Sequence, residues 1–112
     1  MRSSRRAVVA ALATWPLAVS AQPVATPGWP ARPLRVLVGF PPGQASDIIA
    51  RAYAEELGKS LGQPVIVENR PGAGATIAAE MAARAPADGY TLLYSSSGPL
   101  AIAPHMYAKL NY

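Results

Sequence analysis

Leu34-Arg35-Val36-Leu37-Val38-Gly39-Phe40-Pro41-Pro42-Gly43-Gln44-Ala45-Ser46-Asp47 runs from a β-branched-rich apolar segment, through a Gly/Pro turn, into the first turn of a helix. The apolar run reads as a buried first strand, closed at Gly39. Residues 46–60 read as a helix. Ile49, Tyr53, Leu57 and Leu61 recur every four residues, and Ile48 and Ala52 widen the stripe into a predicted core face. Ser46 is the expected N-cap, and Asp47 puts negative charge where the helix dipole favours it. Gly62 supplies the stop, and Pro64 follows it.

Working outward, residues 65–67 (Val-Ile-Val) predict a second strand, and residues 73–85 an alanine-rich helix ended by Pro86. Asp88-Gly89 is a turn, residues 90–94 a third strand, and residues 99–109 a third helix. Strands alternating with helices across short connections imply an α/β fold, a βαβαβ unit with a parallel sheet and right-handed crossovers. Ahead of it, Pro23, Pro27, Pro30 and Pro33 mark residues 22–33 as an extended leader. Arg2, Arg5 and Arg6, the apolar residues 7–19 and the small residues Val19-Ser20-Ala21 have the order of a secretory signal peptide over residues 1–21. Its apolar run is shorter than the roughly 20 residues a spanning helix needs.

Charge and composition remove several functions. The net charge of +4 owes three of its ten basic residues to that leader, and the rest of the chain carries seven basic against six acidic side chains. No basic stripe remains for nucleic acid. With no cysteine, thiol catalysis, disulfides and Cys-ligated zinc are excluded. Gly72 and Gly74 match two glycines of a dinucleotide fingerprint, but the third falls on Ile77; Gly58-Lys59-Ser60 lacks the earlier P-loop glycine, which would stand at Tyr53. His105 has no acid partner or metal spacing, and Ser46, Asp47 and His105 lack a nucleophile-elbow pattern. No catalytic residue, metal or cofactor is expected.

Two loops stand out instead. Gly43-Gln44-Ala45-Ser46-Asp47 leads from the carboxyl end of strand one to a helix N-terminus, whose unpaired N–H groups suit a carboxylate or phosphate. Ser95-Ser96-Ser97-Gly98 leaves strand three with three hydroxyls. In a doubly wound sheet of order 2-1-3 these two loops flank one switch-point crevice.

Three segments together resemble a known family. They are Phe40-Pro41-Pro42-Gly43-Gln44-Ala45-Ser46-Asp47-Ile48, then Leu61-Gly62-Gln63-Pro64-Val65-Ile66-Val67-Glu68-Asn69-Arg70-Pro71-Gly72-Ala73-Gly74, then Asp88-Gly89-Tyr90-Thr91-Leu92-Leu93. The family is the periplasmic substrate-binding proteins of tripartite tricarboxylate transporters, the Bug receptors. The resemblance implies a periplasmic-binding-protein type II fold, of which residues 34–112 would form the N-terminal part of the first lobe, with the second lobe absent. It implies a monomeric periplasmic receptor for small di- or tricarboxylates, served by membrane permease subunits. Carried onto this chain, its ligand contacts are Phe40, Gly43, Gln44, Ala45, Ser46, Asp47, Ser95, Ser96 and Ser97. The chain departs from the family at Gln44 and Ala75, where glycine is usual, and at Ser46, where threonine is common. Two other readings are an exported hydrolase with its nucleophile among residues 95–97, and a truncated product without a complete cleft.

Overall fold

The computed structural model describes residues 28–112; the expected signal peptide and the first half of the leader lie outside the described residues. Three strands, β1 (Leu34–Val38), β2 (Val65–Asn69) and β3 (Thr91–Tyr94), form a parallel sheet in the order β2-β1-β3. This is the predicted α/β arrangement. Arg35 stands opposite Ile66 and Thr91, and Val38 opposite Asn69 and Tyr94. Because β1 is flanked on both edges and covered on both faces, Leu34, Leu37 and Val38 are almost wholly buried. Val36 and Val38 meet Ala50, with Phe40, Val65, Val67, Leu92 and Tyr94 packed around them.

Helix α1 (Ala45–Leu61) ends as its sequence predicts. Gly62 takes the left-handed conformation, φ 69°, and its N–H donates to the Gly58 carbonyl. Two expectations about this helix fail. Ser46 is not its N-cap: Gln44 holds that position with an extended backbone, and Ser46 lies inside the first turn. The predicted core stripe turns inward only at its carboxyl-terminal end, at Leu57 and Leu61, and the rest of it faces outward. Tyr53 is 69% exposed and Ile48 61%, whereas Asp47, Ala50 and Ala54 are buried and Leu57 and Leu61 half-buried. The buried row at 47, 50, 54, 57 and 61 still has helical spacing. Alanine at its centre lets the helix approach the sheet closely, and the inward Asp47 fixes the rotation.

The other elements shift at their ends. The second strand runs on to Asn69, and the third begins at Thr91, although the Tyr90 carbonyl still accepts from the Arg35 N–H. The helix expected over residues 73–85 begins as a tight turn (Ala73–Ala75) and becomes α2 only over Thr76–Arg84. Residues 73–75 all have positive φ, 48°, 64° and 70°, two of them on alanines, where the Cβ makes that conformation unfavourable. The last predicted helix divides into a wide turn (Gly98–Ile102) and a short α3 (Ala103–Met106). Pro104 has no N–H to donate one turn back, and Tyr107 is already extended. At the amino-terminal edge of the sheet, the described part of the leader is tied down: the Ala31 N–H donates to the Tyr90 hydroxyl, and the Arg32 guanidinium lies 3.9 Å over that ring.

Candidate functional site

Parallel strands send all their carboxyl ends to one edge, so the loops leaving β1, β2 and β3 gather there. Their contacts are close. A Cβ at Gly39 would overlap Ala75, so glycine is required where the β1 loop crosses the turn after β2. A Cβ at Gly98 would sit 3.8 Å from the Gly74 carbonyl, which places the β3 loop against the same turn. The Ala73–Ala75 turn therefore wedges between the two loops singled out in the sequence.

The β1 loop is held from beneath by Asp47, whose side chain is 5% exposed. One carboxylate oxygen accepts from the Gly43 N–H at 2.9 Å, and the other from Asn69 Nδ2 at 2.9 Å; Arg51 Nε donates to both at 3.0 Å. Asn69 Nδ2 also donates to the Phe40 carbonyl at 3.0 Å, and Arg51 Nη2 donates to Asn69 Oδ1 at 3.0 Å. The Arg51 hydrogen bonds, then those from Gly43 and Asn69, hold the Asp47 carboxyl at about 2, against an opposing effect of burial. Among the described residues, no buried side-chain polar atom lacks a partner.

The nine candidate residues thus take different positions. The Asp47 carboxylate faces inward. Phe40 packs its ring on the core and gives its carbonyl to Asn69. Gly43, Gln44 and Ala45 are exposed, and Ser46 is half-buried. The first helical bond of α1 runs from the Ile48 N–H to the Gln44 carbonyl, so the N–H groups of Ala45, Ser46 and Asp47 have no intrahelical acceptor. Across the edge, Ser95 is half-buried and Ser96 and Ser97 are exposed; the Ser95 hydroxyl makes only a long bond, 3.4 Å, to the Ser96 carbonyl. Such a surface offers backbone amides, a primary amide and hydroxyls to an oxyanion.

Arg51 and Asn69 were not among the candidates read from the sequence. The Asp47–Arg51 spacing of four on a helix was the available signal for the first. For Asn69, nothing in the sequence distinguishes an anchoring side chain from a turn residue. A cleft of about 360 Å³ lies at the opposite edge of the sheet, lined by Arg32, Arg35, Asp88, Tyr90 and Thr91 among others. Its cations are already matched, Arg32 to Asp88 and Arg35 to Glu68. Among the described residues there is no group of three His, Cys, Asp or Glu able to hold a metal, and no helix long and apolar enough to cross a membrane.

The chain is thus a parallel α/β sheet with hydrogen-bond donors gathered in the loops at its carboxyl edge. Residues 49–112 match the tripartite tricarboxylate transporter family receptor, and the chain belongs to that family. Protein BugT of Bordetella pertussis is 48% identical over 93 residues, which cover 82% of this chain and 28% of BugT. The chain therefore spans less than a third of that relative's length. A solved structure of a periplasmic transporter is 44% identical and superimposes with a TM-score of 0.72, covering 75% of this chain and 28% of the other. MatC from Rhodopseudomonas palustris, solved with bound malate, is 45% identical with a TM-score of 0.55, over 57% of this chain and 22% of MatC.

Proposed function

We propose that this chain supplies the oxyanion-binding wall of a periplasmic solute receptor. The receptor captures a small di- or tricarboxylate and hands it to the membrane permease subunits of a tripartite tricarboxylate transporter. The observation that carries the reading is the pairing, at one sheet edge, of the unbonded N–H groups of Ala45, Ser46 and Asp47 with the hydroxyls of Ser95, Ser96 and Ser97. Family membership and the malate held by MatC support the carboxylate class. Binding needs no reacting group: the helix N-terminus offers positive potential and directed donors, and the serines adapt to the remaining oxygens. Gln44, exposed beside them, reads as a selector for a ligand group that can pair with an amide.

The test removes one donor while keeping the helix. Gln44 has φ −77° and ψ 163°, a conformation that a following proline favours, and proline suits the first helical position. Ala45→Pro should therefore leave the fold unchanged and weaken malate binding about ten-fold by calorimetry, the loss of one hydrogen bond to a charged acceptor. Equal affinity in the two proteins would remove the helix N-terminus from the site.

A further inference from the structure

We propose that Asn69, at the carboxyl end of β2, is the positioning residue of the ligand loop: it locks residues 40–47 in the shape that presents their amides. This rests on the receptor reading above, but its own support is geometric. A primary amide has two N–H donors, and Asn69 spends one on the Phe40 carbonyl and the other on Asp47 Oδ1. Its carbonyl oxygen takes the Arg51 guanidinium. The two donations hold the loop at both ends, at Phe40 where it leaves β1 and at Asp47 where it enters α1. Asp47 passes the restraint on, because its other oxygen takes the Gly43 N–H in the middle of the loop. Reversing the amide would put its oxygen against a carbonyl and a carboxylate, so a single orientation satisfies all three neighbours.

The anchor sits on a different element from the loop that it shapes. The Arg70 N–H, next in sequence, donates to the Val38 carbonyl at 2.7 Å, so the end of β2 is itself pinned to the strand from which the loop departs. Asn69 contributes no atom to the proposed ligand surface. Its effect on binding is indirect: it removes the cost of ordering the eight backbone residues 40–47 when a ligand arrives.

Residue-resolved amide hydrogen exchange on the full chain, read with malate titrations, tests this. Asn69→Ala should speed exchange at Gly43 about ten-fold, leave Leu37 and Val38 at their native rates, and weaken malate binding to a similar degree. Asn69→Asp should do the same despite its equal size, because a second carboxylate would face Asp47; a side chain that only filled space would tolerate it. If Asn69→Ala fails to fold, Arg51→Gln on the exposed helix surface replaces it, with acceleration of about three-fold confined to the loop. Unchanged exchange at Gly43 with malate binding intact would overturn the anchoring and leave the receptor reading standing. Faster exchange with unchanged malate affinity would keep the anchoring and remove the loop from the ligand site.

Discussion

The loops that follow β1 and β3 end at the same sheet edge, yet they are built on opposite principles. The β1 loop is held at Phe40, Gly43 and Asp47 through Asn69 and Arg51, and it crosses so close to Ala75 that only glycine fits at position 39. After β3, a single long hydrogen bond links Ser95 to the Ser96 carbonyl, and Ser96 and Ser97 stand in solvent. If the chain serves the receptor proposed above, recognition of a carboxylate and a variable remainder has use for both. In the proposed receptor the tied loop would present fixed donors at low entropic cost, and the serine loop would reorient its hydroxyls to suit the rest of the ligand.

The comparison can be broken at three depths. The deepest is the strand that supports both loops: Leu37 is fully buried, and Leu37→Ala should cost about 2–5 kcal/mol in chemical denaturation, loosening both loops together. Next is the crossing at the tied loop. Gly39→Val forces a side chain into Ala75 and should cost about 1–3 kcal/mol, with amide exchange accelerating at the hydrogen-bonded N–H groups of Gly43 and Ala75 and no change in the amide shifts of residues 95–97. The smallest perturbation is acid. The Asp47 carboxyl is lowered from its ordinary 3.8 to about 2, so its contribution is fully present above pH 4 and is lost as pH falls through the folded value. Loop amides followed from pH 5 to pH 2 should hold their positions to about pH 3 and then move at Gly43, while Ser96 and Ser97, whose hydroxyls do not titrate, stay in place. Simultaneous movement of both loops near pH 4 would contradict the asymmetry.

Much of the fold was legible because its signals are local. The apolar run of β1, the Gly62 stop and the Gly/Pro-bounded order of elements each follow from short-range chemistry, and the order implies the parallel sheet. The rotation of α1 was not legible. Ile48 and Ile49 are far more apolar than Ala50 and Ala54, and only the tertiary bonds to Asp47 show which face turns inward. Left-handed alanines at 73 and 75 leave no trace in composition, since nothing about alanine signals positive φ. Pro104, by contrast, was a visible break inside a predicted helix. At the site, the sequence reading named the loops that leave β1 and β3 but not Asn69 or Arg51, the side chains that hold the first of them.

The most direct test of the account is to titrate malate into the isotope-labelled chain and follow every backbone amide. The prediction is saturable shifts at Gly43, Gln44, Ala45, Ser46 and Asp47 and at Ser95, Ser96 and Ser97, with the amides of Arg32, Arg35 and Thr91 at the far edge unmoved. Shifts centred on that far cleft, or none at any malate concentration at which the folded spectrum persists, would contradict the claim that the carboxyl edge of this sheet is an oxyanion site.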